Sequence, residues 1–151
     1  MASGDIPDGA DPGAFDVVIV DGFNALGSRP DGWWRDRPAA MERLVGELAE
    51  LAARLGSGVA VEACFDGRPH ERVVAAGGAG VAVSFAGGGA DAADRVIAAR
   101  VRELRDARGP EDGPRVLVVS SDKRLGAAVK AAGGATVGAG AFVRAELGPR
   151  D

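Results

Sequence analysis

Residues 15–25 read Phe-Asp-Val-Val-Ile-Val-Asp-Gly-Phe-Asn-Ala, and the fold is decided in the first eight of them. Val17, Val18, Ile19 and Val20 are β-branched and apolar without a polar break. A strand with one wet face alternates, whereas an unbroken apolar run is what a strand covered on both faces of a parallel sheet requires. The run from Phe15 ends on an acid and a glycine, Asp21-Gly22, and is read as the first and central strand.

Outward from this stretch the same pattern returns. Val59 to Phe65 is a second strand, ending in Asp66-Gly67, and Val81 to Phe85 a third, before Gly87-Gly88-Gly89. Val116 to Val119 is a fourth, followed by Ser120-Ser121-Asp122, and Ala135 to Val137 a short last one. Helical spacing fills the intervals. Pro38 opens a run in which Met41, Leu44, Val45, Leu48, Leu51, Ala52 and Leu55 recur before Gly56, while Asp91 stands at an N-cap position ahead of Ala93, Val96, Ile97, Val101 and Leu104. A short helix is expected over 123–132 and a weak helical tail after Gly140. The segment holding Trp33 and Trp34 reads as a polar loop, and so does the arm after Asp66. Strands alternating with helices predict right-handed crossovers. The expected fold is α/β: a single-domain doubly wound parallel sheet flanked by helices over residues 15–147. Residues 1–14 are expected to be a flexible leader, 109–114 a Gly-Pro linker and 148–151 a tail.

Composition narrows the function. With 151 residues, 46% hydrophobic and 26% charged, the chain has the make-up of one globular domain. Its apolar runs are far too short for a membrane span. The first 13 residues carry three acids and no base, unlike a secretory signal, so a cytoplasmic location is expected. Cys64 is alone and cannot form an internal disulfide; within an apolar run it reads as an inert buried thiol. A net charge of −4 argues against a general nucleic-acid coat. Setting aside the leader acids Asp5, Asp8 and Asp11 leaves 19 acids against 18 bases.

The remaining acids are unevenly placed. Asp21, Asp66 and Asp122 each follow a strand end, where open parallel sheets bind ligands. Asp91 and Asp94 open a helix three residues apart, on one face. Singly, each is an ordinary turn or cap residue; on one shared edge, up to five carboxylates would have to be protonated in part, held apart or neutralised by a cation. Two unit charges about 4 Å apart repel by about 4 kcal/mol at an effective dielectric near 20. Hard oxygens without His or Cys suit Mg²⁺ or Mn²⁺. Gly87 to Ala92 fits G-x-G-x-x-A, but Asp91 and Asp94 would repel a pyrophosphate there, which excludes a dinucleotide site. No G-K-[ST] phosphate loop is present. Phe23, two residues after Asp21, excludes a phosphatase with paired aspartates.

Val20-Asp21-Gly22-Phe23-Asn24-Ala25 resembles the opening motif of NYN domains, the PIN-like nuclease group, and in particular its YacP-like branch. The likeness continues through Val61 to Gly67 with Phe-Asp-Gly, through Phe85 to Ile97 with Ala93-Asp94-Arg95-Val96-Ile97, and through Val119-Ser120-Ser121-Asp122. It resumes in Gly138-Ala139-Gly140-Ala141-Phe142. The resemblance implies a metal-dependent endoribonuclease that hydrolyses RNA phosphodiester bonds with Mg²⁺ or Mn²⁺. It implies Asp21, Asp94 and Asp122 as core metal-binding acids, Asp91 as a further ligand, and Asn24 as the residue orienting the first acid or the substrate. Asp66 would stand behind the ligands; Ser120 or Ser121 would bond a carboxylate or phosphate oxygen, or cap the next helix.

Arg29, Trp33 and Arg35, with Trp34 and Arg37, are read either as a base-stacking platform with phosphate contacts or as one Trp packed over the sheet beside an incidental second one. Arg68, Lys123 and Arg124 would line an RNA groove. The expected partner is RNA, with mRNA, tRNA and rRNA undistinguished, and ribosome association and a homodimer are left open. The chain ends soon after Phe142, where the family carries a further basic helical stretch. That motivates an alternative of another class: a non-catalytic RNA-binding or protein-interaction module that retains the acidic pocket.

Overall fold

The structure, a computed structural model, describes residues 10–107 and 112–147. Five strands, β1 (Val17–Asp21), β2 (Ala60–Phe65), β3 (Val81–Phe85), β4 (Val116–Val119) and β5 (Ala135–Val137), form one sheet. All pairings are parallel and the order is β3-β2-β1-β4-β5. The doubly wound α/β sheet expected from the sequence is therefore present, with β1 at its centre.

Each face of β1 is buried against different helices, and this is why its apolar run has no polar break. Val18 and Val20 join the core under α1 (Gly22–Gly27), α2 (Arg37–Leu55), α3 (Glu71–Gly77) and α6 (Ala139–Phe142, continued by a π-helical turn over Val143–Leu147). Val17 and Ile19 join a second core under α4 (Ala92–Asp106) and α5 (Lys123–Ala131). By the same alternation Asp21 belongs to the α4/α5 face. Its neighbour β4 runs in register with it from Val17 against Val116 to Val20 against Val119. The chain leaves β1 towards β2 and β3 and then crosses back to β4, so the strand order reverses between β1 and β4. That crevice, at the carboxyl ends of the strands, is where such sheets bind ligands.

Three segments differ from expectation. The last residues of the expected leader carry regular structure. Pro12–Ala14 is a 3₁₀ turn capped by the Asp11 carboxylate, which accepts the Gly13 N–H at 2.9 Å, and Ala10 and Pro12 are buried. Small residues and proline pack there without an apolar stripe that periodicity could detect. The Trp33–Trp34 loop is preceded by α1, and the arm after Asp66 contains α3; at six and seven residues both are too short to show a helical period. Residues 1–9 of the expected leader, residues 108–111 with the linker positions 109–111, and the tail 148–151 lie outside the described residues. Among the described residues no helix is long and apolar enough to cross a membrane.

Candidate active site at the sheet switch point

Asp21 closes β1 and is only 5% exposed. Its Oδ2 accepts a hydrogen bond from the Ser120 hydroxyl at 2.9 Å, and that hydroxyl in turn accepts the Asp122 N–H at 3.1 Å. One serine thus holds the ends of β1 and β4 together. Burial pushes the Asp21 carboxyl up from the usual 3.8 to about 6, against the Ser120 bond, and the charges of Asp94 and Asp66 push the same way. Asp94, in the first turn of α4, is half-buried and also raised, first by burial and then by Asp122, Asp91 and Asp66. Carboxylates from four segments therefore feel one another at this crevice.

The surrounding acids have individual tasks. Asp122 caps α5, its Oδ1 accepting the Leu125 N–H at 2.9 Å, so one of its two oxygens is engaged. Asp91 occupies the N-cap position of α4 but in left-handed backbone at φ 57°, with no cap bond from its side chain. It is exposed and lies 3.8 Å from the Arg124 guanidinium. The cap of α4 is Asp66 instead, whose Oδ1 accepts the Ala93 N–H at 2.9 Å. A short bridge between Gly67 and Gly87, both at positive φ, lays the turn after β2 across the turn after β3 and carries Asp66 to the helix. Asp66→Ala is expected to lose about 1 kcal/mol of stability, roughly 2–4 °C in Tm, by thermal unfolding. Asp66→Asn keeps an accepting oxygen and should lose much less; an equal loss would place the effect in the charge and not in the cap.

Asn24, in α1, accepts the Ser121 N–H on its Oδ1 at 2.7 Å, and the Ser121 hydroxyl accepts the Ala139 N–H at 2.9 Å. The turn after β4 is thus tied both to α1 and to the start of α6, which gives the Gly138–Phe142 motif a physical place beside the crevice. Among the described residues no three His, Cys, Asp or Glu side chains stand ready to hold a metal ion.

Arg29 forks onto Glu47 at 2.7 and 3.1 Å and fastens the segment after α1 to α2. Trp33 packs against the core beside Phe23, at 6.0 Å between ring centroids, with Arg37 over both rings. Trp34 is the exposed one at 55%, with Arg35 over its ring at 5.8 Å. Arg68, Lys123 and Arg124 are exposed. Sequence reasoning missed an unbroken file of rings, His70–Phe85–Phe65–Phe23–Trp33–Trp34, along the rim on the α1/α2 side. The phenylalanines that end β2 and β3 were its only sequence sign. Cys64 is buried and burial pushes its thiol up, in keeping with an inert role.

The family description that matches is that of the YacP-like NYN domain, over residues 18–146. Two crystal structures of Rae1 (YacP) from Bacillus subtilis, one of them a mutant form, share the fold at 22% identity and cover 85% of this chain. The match spans 73% of the mutant's chain with a TM-score of 0.63, and 72% of the other with 0.60. No curated protein matches the chain. The parallel sheet agrees with this match, and the chain belongs to the YacP-like NYN family, with its PIN-like nuclease fold.

Proposed function

We propose that this protein is a divalent-metal-dependent endoribonuclease that hydrolyses RNA phosphodiester bonds at the crevice between β1 and β4. The observation that carries the reading is Asp21: a buried carboxylate whose neighbours Asp94 and Asp66 add negative charge, and whose hydrogen bonds come from neutral groups, the Ser120 hydroxyl and the Asn24 backbone. A carboxylate is put in such a place at a cost that a cation removes. The donors are hard oxygens, which fits Mg²⁺ or Mn²⁺, and Asp21, Asp94, Asp122 and Asp91 would hold it. When bound, the cation lowers the pKa of a water and offsets charge on the leaving oxygen.

The chain's own groups do the rest. Ser120 fixes the rotation of the Asp21 carboxylate while seating the Asp122 backbone, so the two acids move as one unit. Asn24, held through its oxygen by Ser121, keeps its amide N–H groups to donate to a phosphate oxygen. Trp34 with Arg35, together with Arg68, Lys123 and Arg124, offers exposed stacking and cationic contacts to an RNA strand.

Cleavage of single-stranded RNA by the purified chain should require Mn²⁺ or Mg²⁺ and fall to the buffer rate in EDTA, as resolved by gel. Undiminished cutting in EDTA would remove the metal from the proposal. One observation favours a second reading, a non-catalytic RNA-binding module that retains the acidic pocket: the described acids do not form a ready three-ligand site. Salt-dependent RNA binding without turnover under either ion would establish it.

A further inference from the structure

The chain has 18 bases, of which only Lys123 and Lys130 are lysine. Both line one groove of about 380 Å³ between α5 and the edge strand β5, together with Ser121, Asp122, Gly126 and Thr136. Lys123, Gly126 and Lys130 fall at i, i+3 and i+7, a single stripe along α5, and the lysines are two helical turns or about 10.5 Å of rise apart. Between them Gly126 leaves the groove floor bare: a Cβ placed there would only reach the Thr136 methyl, at 4.0 Å. Among the described residues neither lysine is paired with an acid, whereas Arg29, Arg43, Arg72, Arg100 and Arg124 all are. The groove runs straight into the acidic crevice, since Asp122 and Ser120 line both.

A channel carrying unpaired ammonium groups, hydroxyls and a bare floor is complementary to a sugar–phosphate backbone. Lysine, a compact point charge on a flexible stem, suits phosphates whose exact position varies, as in contacts that read no sequence. We propose that the α5/β5 groove holds the backbone of a single RNA strand next to the acidic crevice, with Lys123 and Lys130 each neutralising a phosphate. This rests on the nuclease reading for the nature of the strand. It adds the direction in which the strand leaves the site and the residues that grip it without regard to sequence. Lys130 and Thr136 have no part in the acidic cluster, so the groove extends the substrate contact beyond the reacting phosphodiester.

The test is RNA affinity as a function of salt, measured with an unstructured 20-nucleotide RNA in EDTA on full-length protein carrying Asp21→Asn, so that nothing is cut. For single strands each neutralised phosphate contributes about 0.7 to the slope of log affinity against log salt. Adding Lys130→Ala should lower the slope by about 0.7, equal to about fivefold per decade of salt, and adding Lys123→Ala as well should double the change. Lys130→Arg should restore it, which a merely structural role would not do. Both side chains are exposed, and circular dichroism of each variant is to be recorded alongside as the check that it is folded. An unchanged slope overturns the groove while leaving metal-dependent cutting by the wild type intact. A lowered slope without cutting under any divalent ion overturns the nuclease reading and leaves the groove standing. No RNA binding at any salt concentration overturns both.

Discussion

Asp21→Asn is expected to abolish RNA cleavage and, in metal-free buffer at pH 7, to make the protein more stable. The two effects have one cause. In the unfolded chain this carboxyl loses its proton near 3.8; in the folded protein burial, aided by Asp94 and Asp66, holds the proton until about 6. Between those values the folded state binds a proton that the unfolded state has released, so stability falls as pH rises from about 4 to about 6. Above that window the loss is complete and amounts to roughly 3 kcal/mol. Asparagine keeps an oxygen to accept the Ser120 hydroxyl and carries no charge, so the variant should gain about 2–3 kcal/mol at pH 7, roughly 4–12 °C in Tm. A pH series in EDTA checks the sign: the two proteins should melt together near pH 4 and diverge by pH 7. Cleavage should fall by about 10³-fold or more, about 4 kcal/mol of barrier. Wild-type turnover in Asp21→Asn would sink the catalytic assignment. Equal melting at pH 7 would show that the carboxylate carries no such burden.

Gly22→Ala should be among the most damaging single-methyl changes in the chain. A Cβ on Gly22 would stand 2.3 Å from both Cδ1 and Cε1 of Phe65 and 2.9 Å from Cζ. Phe65 is fully buried, edge-on to Phe23 at 5.5 Å and stacked on Phe85 at 5.9 Å, so its ring has nowhere to retreat. Overpacking of this kind costs about 1–3 kcal/mol, and the rigid ring on the other side puts this position at the upper end, a drop of roughly 5–10 °C in Tm. Gly22 also begins α1 directly after Asp21, so backbone relief would shift the carboxylate against Ser120; a misplacement of about 1 Å can cost about 10²-fold in rate. Phe65→Leu, which removes the ring edge, should cost less in the Gly22→Ala background than alone, because the two positions share one space. Strictly additive losses in this double-mutant cycle would contradict the contact.

The architecture was legible because its signals are local. Val17–Val20 and Val116–Val119 have no polar break, which by itself demands cover on both faces, and the α2 stripe from Met41 to Leu55 repeats at helical spacing. The acids Asp21, Asp66 and Asp122 could be placed on one edge because each follows a strand end and all strands point the same way. α1 and α3 were not legible, being shorter than two full helical turns. Ala10 and Pro12 were not, since burial of small residues leaves no pattern.

The composition of the rim was thus determined by sequence alone, and the task of each side chain on it only by packing across the sheet. Asp66 caps α4, 27 residues away, because paired turns lay it over the Ala93 N–H. Arg29 is forked onto Glu47, 18 residues on, which no reading of the Trp33–Trp34 neighbourhood could show. Asp21 acquires its raised pKa from burial between strands that lie 99 residues apart in the chain at the Ser120 bond. A side chain's chemistry is written at its own position, but its protonation, its hydrogen-bond partner and its access to a ligand depend on which distant segments displace water from it. The sequence places five carboxylates at a sheet edge; the fold selects Asp21 as the buried one and Asp66 as a helix cap.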